Sequence, residues 1–225
     1  MNKEKRKTDV TRRGFLKGAA MAAAPLVVPG SVLGLNGAVA PSNRITMGFI
    51  GVGNQGTNDM RNFLRDDRVQ VVAVCDVNTE GPGYWNGSVR GREPARKMVD
   101  ATNKRNKRGG KGCDAYADFR ELLARKDIDS VEVCTPDHWH GYLVVAAARA
   151  GKDIYCQKPL ALTISDGRIM SDVVKATKRV FQCGSQQRSD KRFRLACELA
   201  RNGRIGKLQR VKVGLPTGRP DYGKT

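Results

Sequence analysis

The residues best suited to chemistry begin with the turn Gly51-Val52-Gly53-Asn54-Gln55-Gly56, which is followed twenty residues later by an acid, Asp76. In such a turn the first glycine permits a sharp bend, the second lets the backbone approach a pyrophosphate, and the third lets a helix pack against a strand. The N-terminus of that helix offers free N–H groups and a partial positive charge to the phosphates. The spacing therefore predicts a dinucleotide site.

Asp76 is the residue that indicates which dinucleotide fits. Its carboxylate can accept hydrogen bonds from the ribose 2′- and 3′-hydroxyls, and its charge would repel a 2′-phosphate. The next residues are Val77 and Asn78, so no arginine follows directly to bind such a phosphate. We expect NAD as the cofactor, with NADP less favoured. The alternative interpretation is a Rossmann-like domain that binds no nucleotide.

Two further groups of polar residues follow short apolar runs. The first, Thr135-Pro136-Asp137-His138-Trp139-His140, follows the run 130–134, and the second, Gln157-Lys158-Pro159, follows the run 153–156. Lys158 could hydrogen-bond the oxygen of a reacting carbinol and stabilise the alkoxide that develops as hydride leaves. The alternative is a surface lysine that happens to follow a strand.

His138 and His140 are the two histidines of the chain. An H-x-H pair could indicate a metal, but no carboxylate or cysteine partner stands at a matching spacing. Histidines at the end of a strand more often cap a helix or contact a ligand. The sequence therefore predicts no metal site.

Strands that alternate with helices must position these residues. Apolar runs predict six strands, of which one ends just before Asp76 and the others lie at 45–50, 114–116, 130–134, 153–156 and 180–184. Helices are predicted after the glycine turn and at about 93–103, 119–125, 140–150, 164–179 and 191–202, with a further strand at 209–213. The alternation predicts an α/β fold, a doubly wound parallel-sheet Rossmann domain whose strand ends carry the site.

Residues from about 44 to 210 resemble the glucose–fructose oxidoreductase/inositol dehydrogenase (Gfo/Idh/MocA) family. The resemblance rests on GFIGVGNQG, the strand end VCD, CTPDHWH with its T-P-x-x-x-H pattern, YCQKPLALT in the place of the family's E-K-P motif, and CELARNGRIGKLQRVKV. It implies an N-terminal Rossmann domain and a second α/β domain that covers the substrate and supports homo-oligomers. It also implies hydride transfer between NAD(H) or NADP(H) and a sugar or cyclic polyol. One branch of the family comprises NAD-dependent glycosidases.

The resemblance also implies roles for individual residues. Lys158 would be the catalytic group that reaches both cofactor and substrate. Gln157 stands where glutamate is usual, so Lys158 loses one influence that would keep it protonated. The implied cofactor-binding residues are Gly51, Gly53, Asn54, Gln55 and Gly56 at the pyrophosphate, Asp76 at the ribose, and Thr135, Pro136 and His140 on the nicotinamide side, with His138, Gln157, Lys158 and Pro159 beside them. A non-catalytic nucleotide- or sugar-binding module is the alternative outside the enzymes.

The segment 1–40 predicts export. Thr11–Lys17 has the sequence TRRGFLK, which matches the twin-arginine consensus S/T-R-R-x-F-L-K, and an Ala- and Gly-rich stretch follows it. We therefore expect the twin-arginine translocase to carry a folded, nucleotide-loaded protein to the periplasm. Ala38-Val39-Ala40 is typical of a cleavage site, but Pro41 directly after it disfavours signal peptidase. The sequence is compatible both with cleavage and with retention as a membrane anchor.

The net charge of +19 falls partly in the segment 79–111, which holds nine basic and three acidic residues. A nucleic-acid site would require stacking aromatics on a defined binding fold, whereas the aromatic residues of this segment are Tyr84 and Trp85. We interpret the segment as a solvated, mobile insertion and expect no nucleic-acid partner. The six cysteines contain no C-x-x-C pair, and folding before export takes place in a reducing compartment, so we expect buried thiols and no disulfides.

These features divide the chain into a twin-arginine signal at 1–40, an NAD(P)-binding Rossmann domain at 41–205 and, at 206–225, the beginning of a C-terminal substrate and oligomerisation domain. Family members continue well beyond this point, and the usual general base lies in that later part. We therefore expect the sequence to be a fragment of a longer protein and not a degenerate product. We also expect the fragment alone to be catalytically inert.

Overall fold

A computed structural model describes residue 30 and residues 33–35, 39–84, 87–108 and 111–214 of the chain. The main elements are β1 (Ile45–Ile50), α1 (Asn54–Phe63), β2 (Val69–Cys75), α2 (Arg92–Arg105), β3 (Asp114–Tyr116), α3 (Phe119–Leu123), β4 (Ser130–Val133), α4 (Asp137–Arg149), β5 (Asp153–Gln157), α5 (Ile164–Thr177), β6 (Phe181–Gly184) and α6 (Lys191–Arg201). Short 3-10 helices at Pro41–Asn43 and Gln186–Ser189 precede β1 and α6.

Six strands of the described residues form one sheet in the order β3-β2-β1-β4-β5-β6. The pairs β1–β2, β2–β3 and β5–β6 are parallel. A sheet in which the chain begins in the middle and continues outward in both directions is the Rossmann arrangement. The predicted parallel-sheet α/β fold is therefore confirmed. The chain divides into two compact units, Met1–Ser130 and Val131–Thr225.

The first unit is built on apolar strands that are buried over most of their length. β1 and β2 read ITMGFI and VQVVAVC, without the strict alternation of a strand that has one face in water. Met60 and Leu64, at and just after the end of α1, are buried in the core, and Phe63 packs against that core. The buried core of this unit comprises Met47, Phe49, Val52, Met60, Leu64, Val69, Val71, Val74, Ala95, Val99 and Cys113.

The interpretation of 79–111 as a solvated insertion is wrong for its second half. α2 contributes Ala95 and Val99 to the core of the first unit. Arg108 has a side chain only 1% exposed. It donates hydrogen bonds to the Val69 carbonyl at 3.1 Å and to Asp67 Oδ1 at 2.7 Å. The helix itself was predicted at about 93–103, but its buried apolar stripe was not, because the charged residues on one face do not show the apolar residues on the other.

The second unit is organised around α4, whose buried face comprises His140, Leu143, Val144, Ala147 and Ala148. α4 and α5 approach closely, since a Cβ at Gly141 would lie 3.2 Å from the Cβ of Asp166. Thr163 is the N-cap of α5 and accepts a hydrogen bond from the Asp166 N–H at 3.1 Å. α6 has no buried residue among those described.

Two predicted elements differ from the structure. α4 begins at Asp137, not at His140, because Pro136 has the extended backbone of an N-cap and the helix starts directly after it. The predicted strand 209–213 is wrong: the described residues there form no strand, and Val211 and Val213 are 70% and 76% exposed. An extended segment without a neighbouring strand has no ladder to stabilise it.

The predicted export signal lies almost entirely outside the described residues, which within 1–40 are residues 30, 33–35 and 39–40. In the part of the chain that the structure describes, no helix combines the length and apolar character needed to cross a membrane. All six cysteines are free, and Cys75, Cys113 and Cys156 are buried. Burial raises the pKa of each of these three thiols to about 12, which makes them unreactive at neutral pH.

Candidate functional site

The glycine turn leaves the end of β1 and enters α1 with its backbone exposed to a ligand. Gly51 has φ of 87°, a left-handed conformation, and its N–H donates to the Cys75 carbonyl at 2.8 Å. Gly53 is the N-cap of α1 and provides no side-chain cap. The first N–H groups of α1 therefore remain for an anionic ligand.

Asp76 is fixed against this turn. Its Oδ2 accepts a hydrogen bond from the Val52 N–H at 2.9 Å, and its Oδ1 accepts one from the Asn78 N–H at 3.0 Å. An ionised carboxylate has about four acceptor positions, so the Asp76 carboxylate can still accept the hydroxyls of a ribose. The acid and the glycine turn are thus brought together, as the dinucleotide pattern requires.

Asn54 and Gln55 occupy the first two positions of α1. The Gln55 side chain donates from Nε2 to Asp59 Oδ1 at 2.9 Å, one turn further along the helix. Its side chain is therefore directed along the helix, and its backbone N–H is the group suited to a phosphate. A contact of either side chain with the cofactor stays a prediction, as do the contacts of Gly51 and Gly56.

Three residues near Asp76 were missed by the sequence analysis. Arg92 donates from Nη1 to the carbonyls of Asp76 and Val77, at 3.1 and 3.0 Å. Asn78 donates from Nδ2 to the hydroxyl of Tyr84 at 2.8 Å. The Arg92 contacts connect the start of α2 to the end of β2, sixteen residues earlier in the chain. No local sequence motif predicts any of these contacts.

Burial and the Asp76 carboxylate together raise the pKa of Cys75, the last residue of β2. Burial is the larger cause, because a thiolate there would lose its hydration. Cys75 is accordingly a small apolar residue beneath the site and takes no part in its chemistry.

In the second unit, His140 holds together the ends of two strands. Its ring is buried, with Nε2 2.9 Å from the carbonyl oxygen of Thr135 and Nδ1 2.7 Å from that of Pro159. Thr135 follows β4, and Pro159 follows β5. Because both ring nitrogens are engaged, the geometry suits His140 to positioning these two ends. The implied contact of its ring with the nicotinamide stays a prediction.

The hydroxyl of Thr135 points to a ligand. Its Oγ1 is buried and has no hydrogen-bond partner among the described residues. A buried hydroxyl without a partner costs free energy, on the order of 1–3 kcal/mol, and such groups in functional sites commonly await a ligand. A cofactor that presents an amide or hydroxyl at this position would satisfy it. The neighbouring Pro136 is exposed and offers its ring alone.

Lys158 is exposed at the end of β5, directly after the buried Gln157. The Oε1 of Gln157 accepts a hydrogen bond from the backbone N–H of Lys158 at 3.0 Å. From the sequence, Gln157 in the place of glutamate was interpreted as the loss of a negative charge near the Lys158 ammonium. In the structure its oxygen instead fixes the backbone from which the Lys158 side chain extends.

The first turn of α4 carries an exposed aromatic group beside these strand ends. Trp139 and Tyr142 are 43% and 54% exposed, and their rings meet edge to face with centroids 5.8 Å apart. His138 is also exposed, with its ring centroid 6.2 Å from that of Trp139. None of these three rings belongs to the buried core, so they are available to a substrate.

Considered by itself, the first unit has groups that fit part of a dinucleotide. Gly53 adds no side chain of its own at the start of α1, and Asp76 retains acceptor positions for a ribose. In the second unit, the Thr135 hydroxyl lacks a partner among the described residues, and Lys158 is an exposed cation. Each group lies directly after a strand, which is where ligands bind in parallel α/β sheets.

Replacing Asp76 with Ala is expected to weaken the preference for NAD over NADP by about tenfold, because the charge that repels a 2′-phosphate is removed. Asp76→Asn, which keeps an acceptor for the Val52 N–H, should give a similar relaxation. Fluorescence titration with NADH and NADPH measures both preferences. Glu80→Gln, at an exposed acid of the following loop, is the control and should leave them unchanged. Equal binding of both nucleotides by the unsubstituted protein would contradict the prediction.

Comparison with known proteins gives a matching family model and sequence relatives. A family model described as an oxidoreductase family with an NAD-binding Rossmann fold matches residues 88–185. Myo-inositol 2-dehydrogenase of Thermotoga maritima is 31% identical over 168 residues, covering 74% of this chain and 44% of that protein. A glycosyl hydrolase family 109 protein of Saccharopolyspora erythraea is 30% identical over 191 residues, covering 78% and 39%. The chain thus spans less than half the length of these relatives.

Solved structures share the fold. Scyllo-inositol dehydrogenase of Lactobacillus casei, solved with NAD(H) and scyllo-inositol, superposes with a TM-score of 0.56 at 23% identity, covering 72% of this chain and 42% of that chain. At this identity the likeness establishes the common fold alone.

Proposed function

We propose that this chain is the cofactor-binding part of a Gfo/Idh/MocA-type oxidoreductase, an enzyme that transfers hydride between NAD and a ring carbon of a sugar or cyclic polyol. The match of the oxidoreductase family model to residues 88–185 supports this proposal. The observation that carries the proposal is the position of Lys158. It is exposed directly after β5, and Pro159 beside it is held through His140 to the end of β4. The similarity to an inositol dehydrogenase supports the same substrate class.

Bound NAD would accept the hydride that leaves the carbinol carbon. Lys158 would donate a hydrogen bond to the carbinol oxygen and stabilise the negative charge that develops there. Gln157 and His140 would act indirectly, by holding the backbone on either side of Lys158 and Pro159 in place. The proton of the carbinol must pass to a base, and the family resemblance assigns that base to a later part of the protein.

The aromatic rings of α4 support a ring-shaped substrate. Trp139 and Tyr142 offer exposed rings one and four residues along the helix from His138. The C–H groups of a sugar or inositol ring are apolar, while its hydroxyls point outward, so an aromatic face can cover one side of it. Trp139 is adjacent in sequence to His140, and His140 contacts the carbonyl of Pro159, the residue after Lys158. The start of α4 therefore carries an exposed aromatic ring and also contacts the segment that bears Lys158.

A second candidate is glycoside cleavage through transient oxidation and reduction with a tightly held NAD, which the similarity to a glycosyl hydrolase family 109 protein favours. The two candidates differ in whether NAD is consumed. The experiment is to supply inositols, free sugars and nitrophenyl glycosides to the full-length protein and to follow both NADH and nitrophenol. Net NADH formation supports the dehydrogenase, and nitrophenol release without net NADH supports the glycosidase. NAD binding without turnover of any of these compounds would favour a non-catalytic module.

We further propose that the protein is exported folded and loaded with nucleotide through the twin-arginine pathway, and that it assembles as a homo-oligomer when complete. The TRRGFLK motif at Thr11–Lys17 supports export. A pathway that moves folded proteins suits one that must bind NAD in the cytoplasm. Oligomers are expected from the family resemblance, through the second domain.

Replacing Arg12 and Arg13 together by Lys is expected to abolish export, because the pathway recognises the arginine pair itself and not its charge. A reporter fused after residue 40 should then accumulate in the cytoplasm and not in the periplasm. The matched control changes Lys5 and Arg6, two basic residues outside the motif, and should leave export intact. Export of the double-lysine variant at the normal level would show that the motif is coincidental.

A further inference from the structure

The loop at residues 79–91 is pinned at its base between β2 and α2. The N–H of Gly81 donates to the Arg90 carbonyl at 3.0 Å, and the N–H of Arg90 donates to the Gly81 carbonyl at 3.1 Å. The N–H groups of Arg92 and Glu93, in the first turn of α2, donate to the carbonyls of Asn78 and Thr79, each at 3.0 Å. The described residues of the loop therefore have a defined position relative to Asp76.

From this loop, Tyr84 reaches back to the glycine turn. A Cβ added at Gly53 would lie 3.0 Å from Cε1 and 3.5 Å from Cδ1 of the Tyr84 ring. The hydroxyl of Tyr84 accepts the hydrogen bond from Asn78 Nδ2 at 2.8 Å, and the backbone N–H of Asn78 donates to Asp76. The Tyr84 ring is thus held at two points: it lies against Gly53, and its hydroxyl is hydrogen-bonded to Asn78, two residues after Asp76.

The position of the Tyr84 ring places it beside the residues that are suited to the cofactor. Gly53 is the glycine at which the backbone is expected to approach the pyrophosphate, and the Tyr84 ring lies next to this glycine. Asp76, which is suited to the ribose, is connected to the same ring through Asn78. Tyr84 therefore borders the adenosine half of the site.

We propose that Tyr84 is a cofactor-retaining residue: its ring forms a wall against the adenosine half of NAD and thereby slows the release of the nucleotide. The inference rests on the proposed function, in that it takes NAD as the ligand of this turn. An aromatic ring suits the purpose because it offers a rigid apolar face to a ribose or adenine. Slow release also suits a protein that must keep its nucleotide after leaving the cytoplasm.

The test is the dissociation rate of NADH from the full-length protein, measured by stopped-flow fluorescence after displacement with excess NAD. Tyr84→Ala removes the wall and should release NADH about tenfold faster, with the same relative increase in Kd. Tyr84→Phe keeps the ring and should stay within about twofold of the unsubstituted protein. Val89→Ala, at an exposed position of the same loop, is the control and should change nothing.

Should Tyr84→Ala fail to fold, Tyr84→Leu replaces it, since it fills part of the space but removes the flat aromatic wall and should also accelerate release. Unchanged or slower release from the folded Tyr84→Ala protein would overturn the inference while leaving NAD binding intact. An unsubstituted protein that binds no NADH would instead overturn the proposed function, and the inference with it. The two failures are therefore distinguishable.

Discussion

Replacing Lys158 with Met in the full-length protein is expected to lower kcat for polyol oxidation by about 10²–10⁴-fold, while Kd for NAD stays within about threefold. Methionine keeps most of the apolar stem but cannot donate to the carbinol oxygen. The developing alkoxide would then lack the positive charge of Lys158, and a positioned charge at such an oxygen is usually a large source of transition-state stabilisation. Steady-state kinetics give kcat, and nucleotide titration gives Kd.

Two further variants make this prediction specific. Lys158→Arg keeps the positive charge on a broader, planar group and should recover only part of the rate, since the reacting oxygen requires a donor at one position. Lys175→Met, at an exposed lysine of α5, should leave kcat unchanged. A Lys158→Met protein with an undiminished kcat would show that Lys158 is a surface residue and would require another group at the carbinol oxygen.

The parts of the fold that were predictable are those governed by local pattern. β1 and β3 were predicted at their observed bounds, and β1 is a short, mostly apolar run that ends at Gly51. Asp76 was identified by its distance from Gly56, and the structure brings it into contact with the turn. Such features depend on the order of residues along a single strand–turn–helix unit, and that order is visible in the sequence.

The parts that were missed depend on contacts between distant segments. The bond from Asn78 to Tyr84 and the packing of Tyr84 on Gly53 require the fold of the whole 79–91 loop. The burial of His140 between two carbonyls follows from α4 starting at Asp137, one turn earlier than predicted. Residue types alone could not show that the ring of His140 lies between the backbone carbonyls of Thr135 and Pro159.

Gly91 shows how strongly the site depends on a residue that no motif marks. It is the N-cap of α2, with φ of 128° and ψ of −179°, a conformation essentially restricted to glycine. A Cβ there would lie 2.7 Å from the Thr79 carbonyl oxygen and 2.8 Å from that of Asn78. These two oxygens accept the N–H groups of the first turn of α2, so the Cβ could be accommodated only by breaking that contact.

Replacing Gly91 with Ala is therefore expected to destabilise the protein by about 3 kcal/mol or more, combining backbone strain with a clash against fixed backbone. NAD affinity should fall as well, because the displaced Asn78 carries the hydrogen bond to Asp76. Urea unfolding gives the stability, and hydrogen exchange of the segment 76–93 should report faster opening.

Gly81→Ala is the matched control in the same loop, since a Cβ there meets nothing within 4 Å. Its stability should change by less than about 0.5 kcal/mol, as is usual for surface substitutions. Equal stability of the Gly91→Ala and Gly81→Ala proteins would show that the end of β2 can move away from α2, contrary to the close packing described above.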